Sequence, residues 1–181
     1  MKTDARVRYT KMRIREAFYA CLQKKPIARI TVKEICDLAE INRATFYTHY
    51  MDVFDLLDKQ EEDVLTKLQD TIKQESTSTR TGLELLEKLK DRSDHLGLLA
   101  SENGDPTFAS KVFRLYYSSS VSRMDQLLPG KDAALQDIVF SYIAGGCGSL
   151  MTRWIQGEID CSSEALISLL DQLTAKLLAQ L

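Results

Sequence analysis

The sequence predicts an all-α fold. Three observations carry that expectation. Period-2 alternation is nearly absent, apolar residues recur three and four apart along most of the chain, and only three prolines and eight glycines interrupt 181 residues. Apolar content of 44% and charged content of 28% are ordinary for a globular chain long enough to bury a proper core.

The first helix is expected from about Thr10 to Lys24, where Ile14, Ala17, Phe18, Cys21 and Leu22 form one apolar stripe. Pro26 stops it. Thr31 with Glu34 three residues on has the form of a capping box and opens a short helix reaching Leu38 or Ala39. Glu40-Ile41-Asn42 reads as a turn, with Asn42 placed to cap a second short helix from Arg43 to about Tyr50. Asp52 caps a long helix to about Lys73. The polar, Ser/Thr-rich stretch from Gln74 to Arg80 is a joint. Beyond it, helices are expected at about 81–92, 94–102, 106–128, 132–156 and 162–180. Asp105-Pro106 has the form of an N-cap with proline at the first helical position, and Pro129-Gly130 that of a stop. The chain contains no internal repeat.

Charge is unevenly distributed. Residues 1–50 hold eleven Lys/Arg and five Asp/Glu, a net of +6. Residues 51–181 hold thirteen basic and twenty-one acidic residues, a net of −8. A basic first quarter on an acidic body suits a polyanion contact surface.

Other chemistries find no support. Cys21, Cys36, Cys147 and Cys161 form no C-x-x-C pair, and His49 and His95 are remote from them in sequence, so neither a metal site nor a disulfide framework is expected. There is no E-x-x-H metal pair, no nucleophile motif and no glycine-rich phosphate loop, so no enzyme activity and no cofactor are expected. MKTDARVRYTK carries no apolar secretory core, and no apolar run approaches the ~20 residues a membrane span needs. The expectation is a cytoplasmic protein with no membrane partner.

The second short helix decides the functional expectation. Phe46 and Tyr50 share one face and, with Ile35, Leu38 and Ile41, are expected to form a small core between the two short helices. Arg43 and Tyr47 lie about 100° away, with Ala44 and Thr48 beside them. One side holds the helix and the other is polar, aromatic and exposed, which is how a helix is presented to the major groove. Arg43 has the planar donor fork that suits guanine or a phosphate, and Ala44 permits close approach to a thymine methyl. Thr45, Tyr47, Thr48 and His49 are donors for phosphates or base edges. Lys24, Lys25, Arg29 and Lys33 supply counter-charge to the flanking backbone.

On these residues the chain resembles a known family. ITVKEICDLAEINRATFYTHYMDVFDLL, residues 30–57, is similar to the DNA-binding region of the TetR/AcrR-type transcriptional regulators, and the resemblance covers about residues 8–60. It implies an N-terminal three-helix helix-turn-helix DNA-binding domain in residues 1–50, a connecting helix at about 52–73, and a larger helical effector-binding and dimerisation domain in 51–181. The family's DNA contacts fall on Thr31, Asn42, Arg43, Ala44, Thr45, Tyr47, Thr48, His49 and Tyr50. Two departures stand out. Glu40 and Ala44 occupy positions where the family often has glycine. Met51 to Val53 contains no lysine, where the family commonly has one that touches phosphate.

The body is read more coarsely. LLASENGDPTFASKVF and RWIQGEID are similar to the C-terminal domain of one TetR subgroup, which implies a homodimer through the last two helices. Gly145, Gly146 and Gly148 inside a helix cost about 1 kcal/mol each against alanine, which close approach or room for a ligand would offset. The final helix has a broad leucine face. His95, Phe113, Tyr116, Tyr117, Phe140, Cys147 and Trp154 are the candidates for a small-molecule effector pocket. The leading expectation is a dimeric repressor released from a palindromic operator in double-stranded DNA by a small-molecule effector. The alternative is a TetR-like co-regulator that has lost DNA binding and acts through a protein partner. It rests on Glu40 in the turn and on uncharged Met51 and Val53.

Overall fold

Every regular element among the described residues is helical. The structure, a computed structural model, describes residues 2–74, 79–91, 94–121 and 127–181, with backbone alone at 2–4, 71–74, 79–83, 86 and 116–121. Its helices are α1 (Lys2–Leu22), α2 (Val32–Ala39), α3 (Arg43–Tyr47), α4 (Val53–Gln74), α5 (Thr79–Lys90), α6 (His95–Leu99), α7 (Phe108–Val121), α8 (Ala133–Ile155) and α9 (Ser163–Leu178). Two compact units emerge: Met1–Val64 with Arg92–Pro106, and Leu65–Asp91 with Thr107–Leu181. The unit that carries the helix-turn-helix motif thus extends beyond residue 50 and includes α6.

In the first unit α1 packs on α2 and α6, and α2 packs on α3. The expected α1 stripe is the inward one: Ile14, Ala17, Phe18, Cys21 and Leu22 are all buried. The helix begins earlier than expected, because Lys, Arg and Ala ahead of Thr10 are good helix formers that need no core partner. After it, Pro26 leads into a 3₁₀ turn, Ile27–Arg29, which short-range sequence signals did not reveal. Asp52 caps α4 as expected, its carboxylate accepting the Asp55 N–H at 2.8 Å, while the Asp55 carboxylate accepts the Met51 N–H at 2.8 Å. These reciprocal bonds fix the entry angle of α4.

The core between the two short helices differs from expectation. Ile35, Cys36 and Ala39 face inward, whereas Leu38 is 52% exposed. At about 100° per residue, those three residues define one stripe and Leu38 lies about a quarter-turn off it. A large apolar side chain at position 38 therefore misled the sequence-based expectation, while the smaller Cys36 and Ala39 do the packing.

In the second unit α7 packs on α8 and α5 packs on α9. Asp132 and Ser162 cap α8 and α9 by accepting the N–H groups of Leu135 and Ala165. The α7 start is corrected. The helix opens at Phe108, with Lys111 N–H bonded to the Thr107 carbonyl, because the Asp105 N–H is drawn back to the Leu99 carbonyl at 2.8 Å. Gly130, in the expected stop, has a φ of 77°. Trp154 is the anchor between α8 and the α9 entrance. It is 2% exposed, its indole N–H donates to the Cys161 carbonyl at 2.8 Å, and the Lys90 ammonium lies 4.1 Å from its ring centroid. A satellite cluster of Leu128 and Val139 takes Leu135, Phe140, Ile143 and Leu178 against it.

Candidate nucleic-acid interface

The interface is built from caps outward. At the start of α2 the Thr31 hydroxyl accepts the Glu34 N–H at 3.3 Å and donates to the Glu34 carboxylate at 2.8 Å, which also accepts the Thr31 N–H at 3.0 Å. The full capping box is therefore present. Lys25 closes on the same carboxylate, and this bond, ahead of those from Thr31, pulls the Glu34 pKa down to about 2. Lys25, expected to answer phosphate, is thus engaged by Glu34, while Lys24, Arg29 and Lys33 are exposed.

The turn after α2 closes at Glu40, with φ 54° and ψ 45°. It is the one described non-glycine residue with positive φ. Left-handed backbone is where glycine is favoured, because a Cβ crowds the following carbonyl. Glu40 tolerates it while its carboxylate takes a bond from the Arg13 guanidinium at 2.8 Å.

Asn42 then caps α3. Its side-chain oxygen accepts the Thr45 N–H at 2.7 Å and the Thr45 hydroxyl at 2.9 Å. The Thr48 hydroxyl donates to the Thr45 carbonyl at 2.7 Å. These polar groups hold the helix. α3 is shorter than the expected span to Tyr50: after Tyr47 the chain continues as a turn, with the N–H groups of His49 and Tyr50 both returning to the Phe46 carbonyl. Phe46 is fully buried and Tyr50 is 6% exposed, their ring centroids 5.5 Å apart. Tyr50 therefore sits in the anchor, and burial raises its pKa. Arg43 and Ala44 are exposed, and Tyr47, at 56% exposure, lies edge-on to Phe46 at 5.7 Å.

His49 is half-buried. Burial, then the charges of Lys11 and Lys59, hold its pKa below the usual histidine value, so it is a neutral N–H donor at pH 7. Lys59 is the basic residue that sequence reasoning missed. Its ammonium donates to the His49 carbonyl at 3.1 Å and to the Asp55 carboxylate at 2.9 Å, and lies 5.2 Å from the Tyr50 ring centroid. The i,i+4 spacing of Asp55 and Lys59 was the available signal. By contrast Met51 is 77% and Phe54 54% exposed, so the start of α4 presents apolar rather than cationic side chains.

A family model described as a transcriptional regulator C-terminal region, of the TetR type, matches residues 76–176, more than half of the chain. The chain belongs to the TetR-type transcriptional regulators. It is accordingly a transcriptional regulator rather than an enzyme. Among solved structures, a TetR transcriptional regulator from Streptococcus agalactiae 2603V matches with a TM-score of 0.72 at 23% identity, covering 96% of this chain and 98% of that one. The dihydroxyacetone kinase operon activator DhaS matches with a TM-score of 0.66 at 19% identity, covering 94% and 96%. Both likenesses are of fold. No curated protein matches significantly.

The expected effector residues fall in both units. His95 is in the first unit, stacked on Tyr19 with ring centroids 3.8 Å apart, and burial lowers its pKa. Phe113 and Trp154 are buried in the second unit, and Phe140 packs on the Leu128 and Val139 cluster. The side chains of Tyr116 and Tyr117 lie outside those described. Cys147 lines an open apolar cleft of about 350 Å³, with Tyr142, Ile143 and Leu150 of α8 and Leu170 and Leu173 of α9. No described helix is long and apolar enough to cross a membrane.

Proposed function

We propose that the chain is a homodimeric repressor that binds a palindromic operator in double-stranded DNA and is released by a small-molecule effector. The observation that carries DNA binding is the division of the α3 region: Phe46 and Tyr50 are buried where α3 packs on α2, and Arg43, Ala44 and Tyr47 are left exposed together. Arg43 and Ala44 read base edges, Tyr47 and His49 contact phosphate, and Thr31, Asn42, Thr45 and Thr48 hold the two helices while adding backbone contacts. Tyr50 contributes by anchoring.

The dimer is supported by α8 and α9. Ile138, Tyr142, Leu169 and Leu173 are 64%, 72%, 53% and 51% exposed, and Tyr142 and Leu173 also line the apolar cleft. A Cβ at Gly145 or Gly146 would meet nothing within 4 Å, so none of the described residues uses the close approach those glycines permit. A second copy of α8 and α9 across a two-fold axis does. Regulation follows as a population shift between states that do and do not present two recognition helices at groove spacing, about 34–36 Å or a multiple of it. Activation instead of repression has one support, the description of DhaS as an operon activator.

A second reading, a co-regulator that acts through a protein partner, is favoured by exposed Met51 and Phe54 beside the recognition helix. Salt-titrated binding to a duplex from upstream of the protein's own gene separates the two. DNA recognition predicts tight, sequence-preferring binding with a steep negative salt slope. Weak binding without preference supports the partner reading.

A further inference from the structure

The loop between α6 and α7 is folded back on itself and reaches the DNA-binding motif. Within it, the Ser101 hydroxyl donates to the Leu98 carbonyl at 2.7 Å and accepts the Asn103 N–H at 3.2 Å. The Gly104 N–H bonds the Ser101 carbonyl at 3.0 Å. Gly104 is packed so closely that a Cβ there would lie 2.4 Å from the Leu99 carbonyl oxygen and 2.8 Å from that of Leu98. Such contacts with backbone leave no room for any other residue at position 104.

The folded loop delivers Asn103 to the corner after α1. Its side-chain amide donates to the Leu22 carbonyl at 2.9 Å, and its own carbonyl accepts the Ile27 N–H at 2.7 Å. Leu22 ends α1, where helix carbonyls lack intrahelical partners. Ile27 opens the 3₁₀ turn that leads to Thr31, the cap of α2. Asn103 and Leu22 are 81 residues apart in sequence, so this is a tertiary clamp, not a local cap. It grips both sides of the bend that sets the direction of α2 and, through the Glu40 turn, of α3.

We infer that Asn103 is a positioning residue for DNA recognition: its two-way bond to the α1–α2 corner holds the recognition helix at the angle that reads bases. The inference rests on the DNA-binding function proposed above. Non-specific affinity follows the number of phosphates neutralised, whereas specific affinity needs Arg43 and its neighbours aligned to base edges. A lost clamp therefore weakens the second and spares the first.

Asn103→Asp is the test. It preserves shape but sets a carboxylate oxygen against the Leu22 carbonyl. The full chain is titrated with the own-promoter duplex and with an unrelated duplex of equal length, and exchange of the Ile27 amide hydrogen is followed. The expected result is faster Ile27 exchange, about tenfold weaker binding to the promoter duplex (~1.4 kcal/mol), and unchanged affinity and salt slope on the unrelated duplex. Faster exchange with promoter affinity intact overturns the inference, as does equal weakening on both duplexes. Should Asn103→Asp not fold, the neutral Asn103→Ser carries the same measurements and the same outcomes. A wild-type chain that binds both duplexes alike overturns the DNA-binding function itself, and the inference with it.

Discussion

Glu40→Gly is expected to stabilise the protein, although it removes an ion pair. Glu40 sits at φ 54°, where an L-residue is strained by about 1–2 kcal/mol and glycine is not. Glycine also gives the unfolded chain more freedom, which takes back about 0.5–1 kcal/mol. In an Arg13→Ala background, where the bond from Arg13 is already absent, the remainder is about 0.5–1 kcal/mol. For a chain of this size that raises Tm by roughly 1–4 °C. In the wild-type background the gain is smaller, because the exposed ion pair is lost too, and it grows as salt screens that pair. Glu40→Ala keeps the backbone strain and loses the pair, so it is expected to be destabilising. Urea midpoints for all variants at low and high salt make the comparison. If Glu40→Gly in the Arg13→Ala background were no more stable than Glu40→Ala there, the left-handed strain would not exist and the reasoning would fail.

Other expected outcomes concern the interface and the assembly. Arg43→Ala is expected to weaken operator binding at least about tenfold and relax specificity at its base, and adding Tyr47→Phe to abolish specific binding while far-UV circular dichroism is unchanged. His49, neutral when free, gains affinity for a proton beside phosphate, so operator binding is expected to tighten as pH falls from about 7.5 to 6, and His49→Gln to lose that dependence in fluorescence anisotropy. Glu34 has its carboxylate pKa lowered from 4.5 to about 2, so its contribution to the α2 cap is complete above pH 4.5 and is lost as pH falls toward 2, which exchange of the Glu34 amide will follow. Leu173→Glu places a charge on the exposed α9 face and is expected to weaken the dimer by about a hundredfold or more, seen by sedimentation.

Much of the order of helices was readable because five starts carry a local cap whose chemistry spans three residues: Thr31, Asn42, Asp52, Asp132 and Ser162 all cap as their residue types suggest. So was the division of α3, which needs only the fourfold spacing of Phe46 and Tyr50. Contacts between distant segments were not readable. Asp105 looks like a cap beside Pro106, yet its N–H serves the α6–α7 loop. Leu38 looks like core by hydrophobicity, but the direction of α2 is set by its neighbours, and Cys36 and Ala39 face in. Among the effector candidates, Phe113 and Trp154 are buried, a tertiary outcome that helical spacing does not carry. Lys59 was overlooked because its partner, the His49 carbonyl, is ten residues back across a turn.

The geometry also changes what the missing lysine at the start of α4 means. Lys59 occupies the space behind His49 and ties the end of α3 to α4, so the turn is rigid without a basic residue at 51–53. Under the proposed DNA-binding function, exposed Lys24, Arg29, Lys33 and Arg43 would supply cationic charge to phosphate.

Footprinting of the wild-type dimer on the region upstream of its own gene tests the central claim most directly. The account predicts two protected half-sites, related by a two-fold axis, with centres about one helical turn or a whole multiple apart, and loss of both on Arg43→Ala with Tyr47→Phe. Protection that survives those substitutions, or no protected site at all, would contradict it.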